Sequence, residues 1–117
     1  MTVGEKQRVF TRLVARLIEH AYGLGYELTF GDAYRSPQQA AANAASGSGI
    51  RNSLHTQRLA IDLNLFKSGE YLTESSAHEP LGEFWESLST PEYTCCWGGR
   101  FSHPDGNHYS IEHGGVR

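Results

Sequence analysis

The sequence predicts an α+β fold, with helices packed on a small antiparallel sheet and a metal site on the open face of that sheet. Two segments repeat apolar residues at helical spacing, one at the start of the chain and one after Glu79. Several shorter segments alternate apolar and polar residues, which is the pattern of half-buried strands. The 117 residues suffice for one core, so we expect residues 1–117 to form a single domain.

The first helix is predicted over Thr2 to Tyr22, where apolar side chains recur on one helical face. Thr2 and Glu5 have the spacing of a capping box, in which each side chain accepts a hydrogen bond from the other's backbone. Gly23 or Gly25 is expected to end the helix, because glycine suits the backbone conformation found there. We interpret this element as a packing helix.

A strand and a second helix follow. Residues 26–30 alternate apolar and polar side chains and predict a half-buried strand. Ser36 as N-cap, Pro37 at the first helical position and Gln39 three residues after the cap predict a helix that runs to Ala45.

A second strand carries an acidic residue. It is predicted over Ala60 to Phe66, after a flexible Ser-Gly-Ser-Gly loop at residues 46–49. Its period of two places Asp62 on the face opposite Ile61 and Leu63. A buried, unpaired aspartate is costly, so a partner cation is expected, and a metal fits as well as an arginine.

The rest of the chain predicts, in order, a turn at residues 67–70, a helix beginning at Glu79, a strand at residues 94–97 and a last strand that begins near His108. In the last strand, His108 and Ser110 are expected on one face. His78, just before the helix, is expected to be a solvated loop residue.

Composition and charge exclude several classes of protein. A net charge of −3 without any Lys/Arg cluster argues against nucleic acid as a partner. No apolar run approaches the ~20 residues of a membrane span, and the N-terminal segment lacks the apolar core of a signal peptide. The only cysteines, Cys95 and Cys96, are adjacent, which holds their Cα atoms about 3.8 Å apart and favours free thiols.

Two stretches carry the residues of a catalytic zinc site, Ser53 to Leu63 and His103 to Tyr109. Such a site uses three protein ligands and leaves one position for water, and His55, Asp62 and His108 form a suitable set. Asp105 lies three residues before His108, where a general base would sit. His103 and His113 are nearby rivals as ligands, and we rank both below His108. Taken singly, each of these histidines is more often structural than a ligand.

Arg35 precedes the predicted second helix, at a strand-to-helix junction of the kind that tends to line sites. Arginine suits bidentate capture of a carboxylate, but a surface salt bridge is an equally good interpretation from the residues alone.

These motifs resemble a known family. The Ser-x-His-x(6)-Asp pattern followed by Asp-x-x-His is similar to the zinc D-Ala-D-Ala carboxypeptidase-like peptidases, and in particular to their phage L-alanyl-D-glutamate endopeptidase branch. The Trp-Gly-Gly segment at residues 97–99 and the Tyr-Arg-Ser-x-x-Gln segment at residues 34–39 also resemble this branch. The resemblance extends from about Tyr34 to Tyr109.

The resemblance implies a zinc metallopeptidase that cuts peptidoglycan stem peptides, at the bond between L-alanine and D-glutamate, as a phage or prophage endolysin that lyses bacteria. It implies that Arg35 contacts substrate and that Gln39 supports it. In this interpretation Ser53 holds a polar group of the substrate. The chain departs from the family in having Arg58 where glycine is usual and Tyr109-Ser110 where Phe-Glu is usual.

The expected cofactor is Zn²⁺ and the expected partner is bacterial peptidoglycan, bound by a monomer without a separate wall-binding domain. We expect synthesis in the host cytoplasm and access to the wall by a separate release route. Two other functions stay open. A D,D-carboxypeptidase or dipeptidase would use the same metal site, whereas a non-catalytic, zinc-stabilised wall-binding module would not need Asp105.

Overall fold

The computed structural model describes residues 1–47 and 53–117 of the chain. In chain order, its helices and strands are α1 Val3–Gly23, β1 Tyr26–Phe30, α2 Pro37–Ala45, β2 Ala60–Lys67, β3 Glu70–Leu72, α3 Glu79–Ser87, β4 Cys95–Trp97 and β5 His108–Ile111. Short 3₁₀ turns occupy Leu54–Gln57, Ser75–His78 and Gly98–Arg100. The predicted α+β fold is confirmed. Residues 48 and 49 of the predicted loop lie outside the described residues.

The predicted helix starts are present atom by atom. Thr2 Oγ1 accepts a hydrogen bond from the Glu5 backbone N–H at 3.1 Å, and Glu5 Oε1 accepts one from the Thr2 N–H at 2.9 Å. Ser36 Oγ accepts from the Gln39 N–H at 3.0 Å, with Pro37 at the first helical position. Each cap satisfies a backbone donor that the first helical turn leaves unpaired.

The sheet is antiparallel, with strand order β1-β2-β5-β4. β2 is the central element, because β1 pairs with one of its edges and β5 and β3 share the other. In this register Asp62 of β2 lies opposite His108 of β5. Directly opposed residues project to the same face, so the pairing itself brings these two side chains together.

The helices α1 and α3 cover one face of the sheet, the face opposite to Asp62 and His108. The core lies between these helices and that face. Leu17 of α1, Trp85 of α3, and Leu63 and Tyr109 of the sheet are fully buried. The Trp85 ring contacts the Tyr109 ring edge-on, with centroids 6.1 Å apart, and its indole N–H donates to the Ser110 carbonyl at 3.0 Å. Because Leu63 and Tyr109 point into this core, their neighbours Asp62 and His108 must point to the open face.

The expectation for His78 was wrong. Its side chain is buried, and its Nδ1 shares a hydrogen bond of 2.8 Å with the hydroxyl of Tyr109. Burial lowers the pKa of His78 to about 4. The helical pattern that begins at Glu79 carried no sign of this contact, because Tyr109 belongs to the last strand of the sheet.

The two cysteines are free, as predicted. Both are buried, and burial raises the pKa of Cys95 to about 12. None of the described helices is both long enough and apolar enough to cross a bilayer.

Candidate active site

His55 is held in place by its backbone turn and by its own ring. The turn Leu54–Gln57 begins at Ser53, whose Oγ accepts a hydrogen bond from the His55 N–H at 3.2 Å. The Nδ1 of His55 lies 3.1 Å from the carbonyl oxygen of Ala33 and donates to it. A proton on Nδ1 leaves the lone pair on Nε2, which lies 3.4 Å from Asp62 Oδ1. The backbone therefore orients this imidazole as a ligand.

His108 approaches the same oxygen from the neighbouring strand. Its Nδ1 lies 3.6 Å from Asp62 Oδ1, and one ligand atom from each of His55, Asp62 and His108 lies within 4.8 Å of the other two. In a tetrahedral zinc site with bonds of about 2.0 to 2.1 Å, ligand atoms are separated by about 3.3 Å. The two nitrogen–oxygen distances are close to this value.

The polar atoms of this cluster fit a bound cation. Asp62 Oδ1 is buried and accepts no hydrogen bond from the described residues, although two imidazoles flank it. Burial opposes ionisation of this carboxyl, but the adjacent His108 and His55 hold the pKa of Asp62 at about 2. An ionised, buried oxygen without a partner costs free energy. Two imidazoles and one carboxylate are a known donor set for catalytic zinc, and a cation between them would satisfy that oxygen.

Asp105 lies at the edge of this group and outside it. Its backbone N–H donates to the Gly98 carbonyl at 2.9 Å, and its carbonyl accepts from the His108 N–H at 3.1 Å. The residue is exposed overall, but partial burial around the carboxyl raises the pKa of Asp105, against the lowering effect of His108. A carboxyl with a raised pKa is better suited to accept and return a proton near neutral pH.

The turn that holds Asp105 depends on glycine at position 98. A Cβ atom on Gly98 would lie 2.1 Å from the Asp105 carbonyl oxygen and 2.8 Å from the His108 Cβ. Because Gly98 has no side chain, the backbone of the Trp-Gly-Gly segment can pack directly against the turn from Asp105 to His108.

Arg35 has acidic neighbours on two sides, and its predicted contact with substrate stays a prediction. Its Nη2 lies 2.9 Å from the exposed carboxylate of Asp32 and 4.0 Å from Asp62 Oδ2. Its backbone N–H donates to the His55 carbonyl at 3.2 Å, which ties it to the metal-ligand turn. Its Nε is buried and has no partner among the described residues. The guanidinium thus lies beside the candidate metal group while it also forms a surface ion pair.

Ser53 and Gln39, the other residues predicted to contact substrate, form hydrogen bonds within their own segments. Ser53 is buried next to His55, where its hydroxyl caps the turn. Gln39 is exposed on α2, and its side-chain amide donates to Asn43 Oδ1 at 2.7 Å. Substrate binding by Ser53 and Gln39 stays a prediction.

The rival histidines lie away from the cluster. His103 is exposed, and the Nδ1 of His113 lies 3.3 Å from the Lys6 ammonium. Within the described residues, neither belongs to the group around Asp62.

Arg58 occupies a backbone position that favours glycine. It has φ 56° and ψ 36°, the left-handed conformation, at the end of the turn that carries His55. Its guanidinium lies over the Tyr34 ring, 4.1 Å from the centroid. This cation–π contact offsets part of the conformational cost. The contact with Tyr34 helps to hold Arg58 in this left-handed conformation.

The site has two components that sequence reasoning missed. One is the Ala33 carbonyl, a backbone atom that any residue would supply and that leaves no sequence signal. The other is the ring of Phe101, whose centroid lies 5.4 Å from that of His108. The sequence shows an aromatic residue at position 101, but only the fold shows that its ring contacts the imidazole of His108.

Comparisons with known proteins identify a family and a shared fold. A search of curated proteins found no match. Among solved structures, the L-Ala D-Glu endopeptidase ChiX of Serratia marcescens superposes with a TM-score of 0.72 at 16% sequence identity, covering 93% of this chain and 85% of that one. At this identity the match establishes a shared fold. The family model described as D-alanyl-D-alanine carboxypeptidase matches residues 46–111, which include the candidate metal ligands and Asp105. This chain belongs to that family of peptidases.

Proposed function

We propose that this protein is a zinc-dependent peptidase that hydrolyses peptidoglycan stem peptides, with the L-Ala-D-Glu bond as its target. The observation that carries the proposal is the group of two buried histidines, His55 and His108, around the partly buried Asp62, with Asp105 at its edge. Membership of a peptidase family supports the reaction class. The choice of bond follows the sequence motifs, and the fold shared with a protein named as an L-Ala D-Glu endopeptidase supports it. A role as a phage or prophage endolysin is part of the same proposal.

In the proposed reaction, His55, Asp62 and His108 hold the zinc ion. A zinc ion bound there would act as a Lewis acid toward the scissile carbonyl and would activate water for attack by lowering its pKa from about 16 toward about 7. Asp105 accepts the proton of the attacking water and later donates it to the leaving amine. Arg35 binds a carboxylate or carbonyl of the substrate beside Asp62.

A second candidate function has one observation in its favour. The matched family carries the description D-alanyl-D-alanine carboxypeptidase, so removal of a C-terminal D-alanine is the natural competitor. The two activities use the same ligands and differ in product. Mass spectrometry of digested peptidoglycan, beside a parallel digest of the free D-Ala-D-Ala dipeptide, separates them. New L-alanine carboxyl ends would support the proposed bond, and released D-alanine alone would replace it with the competitor.

The Asp105→Asn variant tests catalysis itself. Asparagine keeps the size of the side chain but cannot accept the proton, and such proton transfer contributes about 10²- to 10⁴-fold in rate. We expect zinc stoichiometry and thermal stability close to those of the parent, with hydrolysis reduced by that factor. A parallel loss of zinc would make Asp105 a ligand. Hydrolysis at the parental rate would refute the role of general base.

A further inference from the structure

A cavity adjoins the candidate site on the side of Asp105. It has a volume of about 320 Å³ and lies between the end of β3, the turn Ser75–His78 and the loop at residues 104–107. This volume is at the lower end of the range for small-ligand pockets, about 300 to 1,000 Å³. Asp105 lines it, so the cavity opens directly beside the proposed general base.

The topology places this cavity and Arg35 on opposite sides of Asp62. Arg35 follows β1, which pairs with one edge of β2. The cavity lies on the other edge, where β3 and β5 pair with β2 and where Asn107 accepts a hydrogen bond from the Leu63 N–H at 2.9 Å. A peptide bound across the metal group therefore meets Arg35 on one side and this cavity on the other.

The charges of the two sides differ. No lysine or arginine lines the cavity, and its charged group is the Asp105 carboxyl. Among the described residues, the side chains of Thr73 and Asn107 form no hydrogen bond, and they supply a hydroxyl and an amide to the cavity. A carboxylate entering here would find no lysine or arginine in the lining and would approach Asp105, which like-charge repulsion opposes.

His78 adds an uncharged polar group. His78 lines the cavity, and because its Nδ1 is engaged with the Tyr109 hydroxyl, Nε2 is its remaining polar atom. Burial lowers the pKa of His78 to about 4, which keeps the ring neutral at neutral pH. A neutral imidazole, a hydroxyl and a carboxamide together both donate and accept hydrogen bonds, which matches a primary amide.

We infer that this cavity is a specificity subsite that receives the substrate residue on the leaving-amine side and selects an uncharged amide over a carboxylate. The inference rests on the proposed function, because the cavity is assigned to the leaving-amine side of the scissile bond through the role of Asp105 as the proton donor. When Asp105 returns the proton, the leaving amine must lie within hydrogen-bond reach of it. The residue attached through that amine is then carried into the adjoining cavity.

The test uses two synthetic stem peptides that differ only in that residue, which carries a free carboxylate in one and a primary amide in the other. For the zinc-loaded parent we expect kcat/KM to be about tenfold higher with the amide, the effect of one repulsive charge near a protein surface. Thr73→Lys adds a cation to the exposed rim of the cavity and should raise kcat/KM for the carboxylate peptide, removing or reversing the preference.

Two control variants separate charge in the cavity from other effects. Thr73→Val removes the hydroxyl without adding charge and should keep most of the preference for the amide, because the repulsion between Asp105 and the carboxylate remains. Ser87→Lys adds the same charge at the exposed end of α3, about 12 Å along the helix from Glu79, and should leave the preference unchanged. Equal rates for the two peptides, or an equal shift in Thr73→Lys and Ser87→Lys, would overturn the subsite while leaving the hydrolysis intact. If the parent cleaves neither peptide, the proposed function fails, and the subsite fails with it.

Discussion

Replacing Gly98 with alanine places a methyl group against the turn that carries Asp105 and His108. The new Cβ would lie 2.1 Å from the Asp105 carbonyl oxygen and 2.8 Å from the His108 Cβ. The first obstacle is a backbone atom that also accepts the His108 N–H, so it cannot rotate away as a side chain would. The turn from Asp105 to His108 must move as a unit.

The size of that movement follows from the contact distance. The oxygen has to retreat by about 1.3 Å to reach the 3.4 Å at which ordinary contact begins. Overpacking of this kind costs about 1 to 3 kcal/mol of the free energy of unfolding. Zinc–ligand distances tolerate only about 0.2 Å, and a misplacement of about 1 Å at a reacting group costs about 100-fold in rate. We therefore expect a larger loss in zinc affinity and hydrolysis than in stability.

The assay measures urea unfolding, zinc affinity by competition with a chelator, and hydrolysis of a stem peptide. Gly99→Ala is the matched control, because its Cβ would meet the Trp97 ring at 2.3 Å and overpacks the same turn away from Asp105. Gly23→Ala at the end of α1 meets nothing within 4 Å and should raise the free energy of unfolding by up to about 1 kcal/mol. A folded Gly98→Ala protein with parental zinc affinity and rate would refute the reasoning.

Three further predictions concern single side chains. His108→Ala should abolish stoichiometric zinc binding in a metal assay, whereas His103→Ala should keep it; the reverse result would exchange their roles. Arg35→Lys should lower kcat/KM by about 10- to 100-fold with little change in the unfolding midpoint, because an ammonium cannot replace the planar fork; unchanged kinetics would leave Arg35 as a surface ion pair. His78 is neutral in the fold, with a pKa of about 4 against 6.5 when unfolded, so the unfolded state binds its proton first as pH falls. The free energy of unfolding should therefore drop between pH 6.5 and 4, by up to about 3 kcal/mol from this group, and urea unfolding of His78→Gln should show a shallower pH dependence; an identical pH profile would contradict the burial argument.

The parts of the molecule that were predicted correctly are those encoded over short distances in the chain. The cap at Thr2 and the helix start at Ser36 depend on side chains three residues from the backbone groups they bind. The alternation in β2 places the side chains of Asp62 and Leu63 on opposite faces of the strand, whichever strands pair with it. Each of these features follows from the geometry of one helix turn or one strand.

The failures and omissions arise from contacts between distant segments. His78 was expected in solvent, but Tyr109 of β5 provides a partner for it in the interior. The tautomer of His55 depends on the Ala33 carbonyl, an atom that no residue type encodes. Arg35 was predicted to contact substrate, with a surface salt bridge as the alternative from the residues alone, and in the structure its Nη2 lies 2.9 Å from Asp32 and 4.0 Å from Asp62.

By itself, the sequence determined which residues were available as ligands and base, and which face of each strand would carry them. Only the tertiary structure decided that Asp62 and His108 share one oxygen-centred cluster, because a one-residue change in the β2–β5 register would send His108 to the opposite face from Asp62. It also decided the distribution of charge around the site, with Arg35 on one edge of β2 and, on the other, a cavity lined by Asp105 and by no lysine or arginine. The physical reason is that spacing along a chain restricts local conformation, whereas the relative position of distant strands is set by the core they jointly bury.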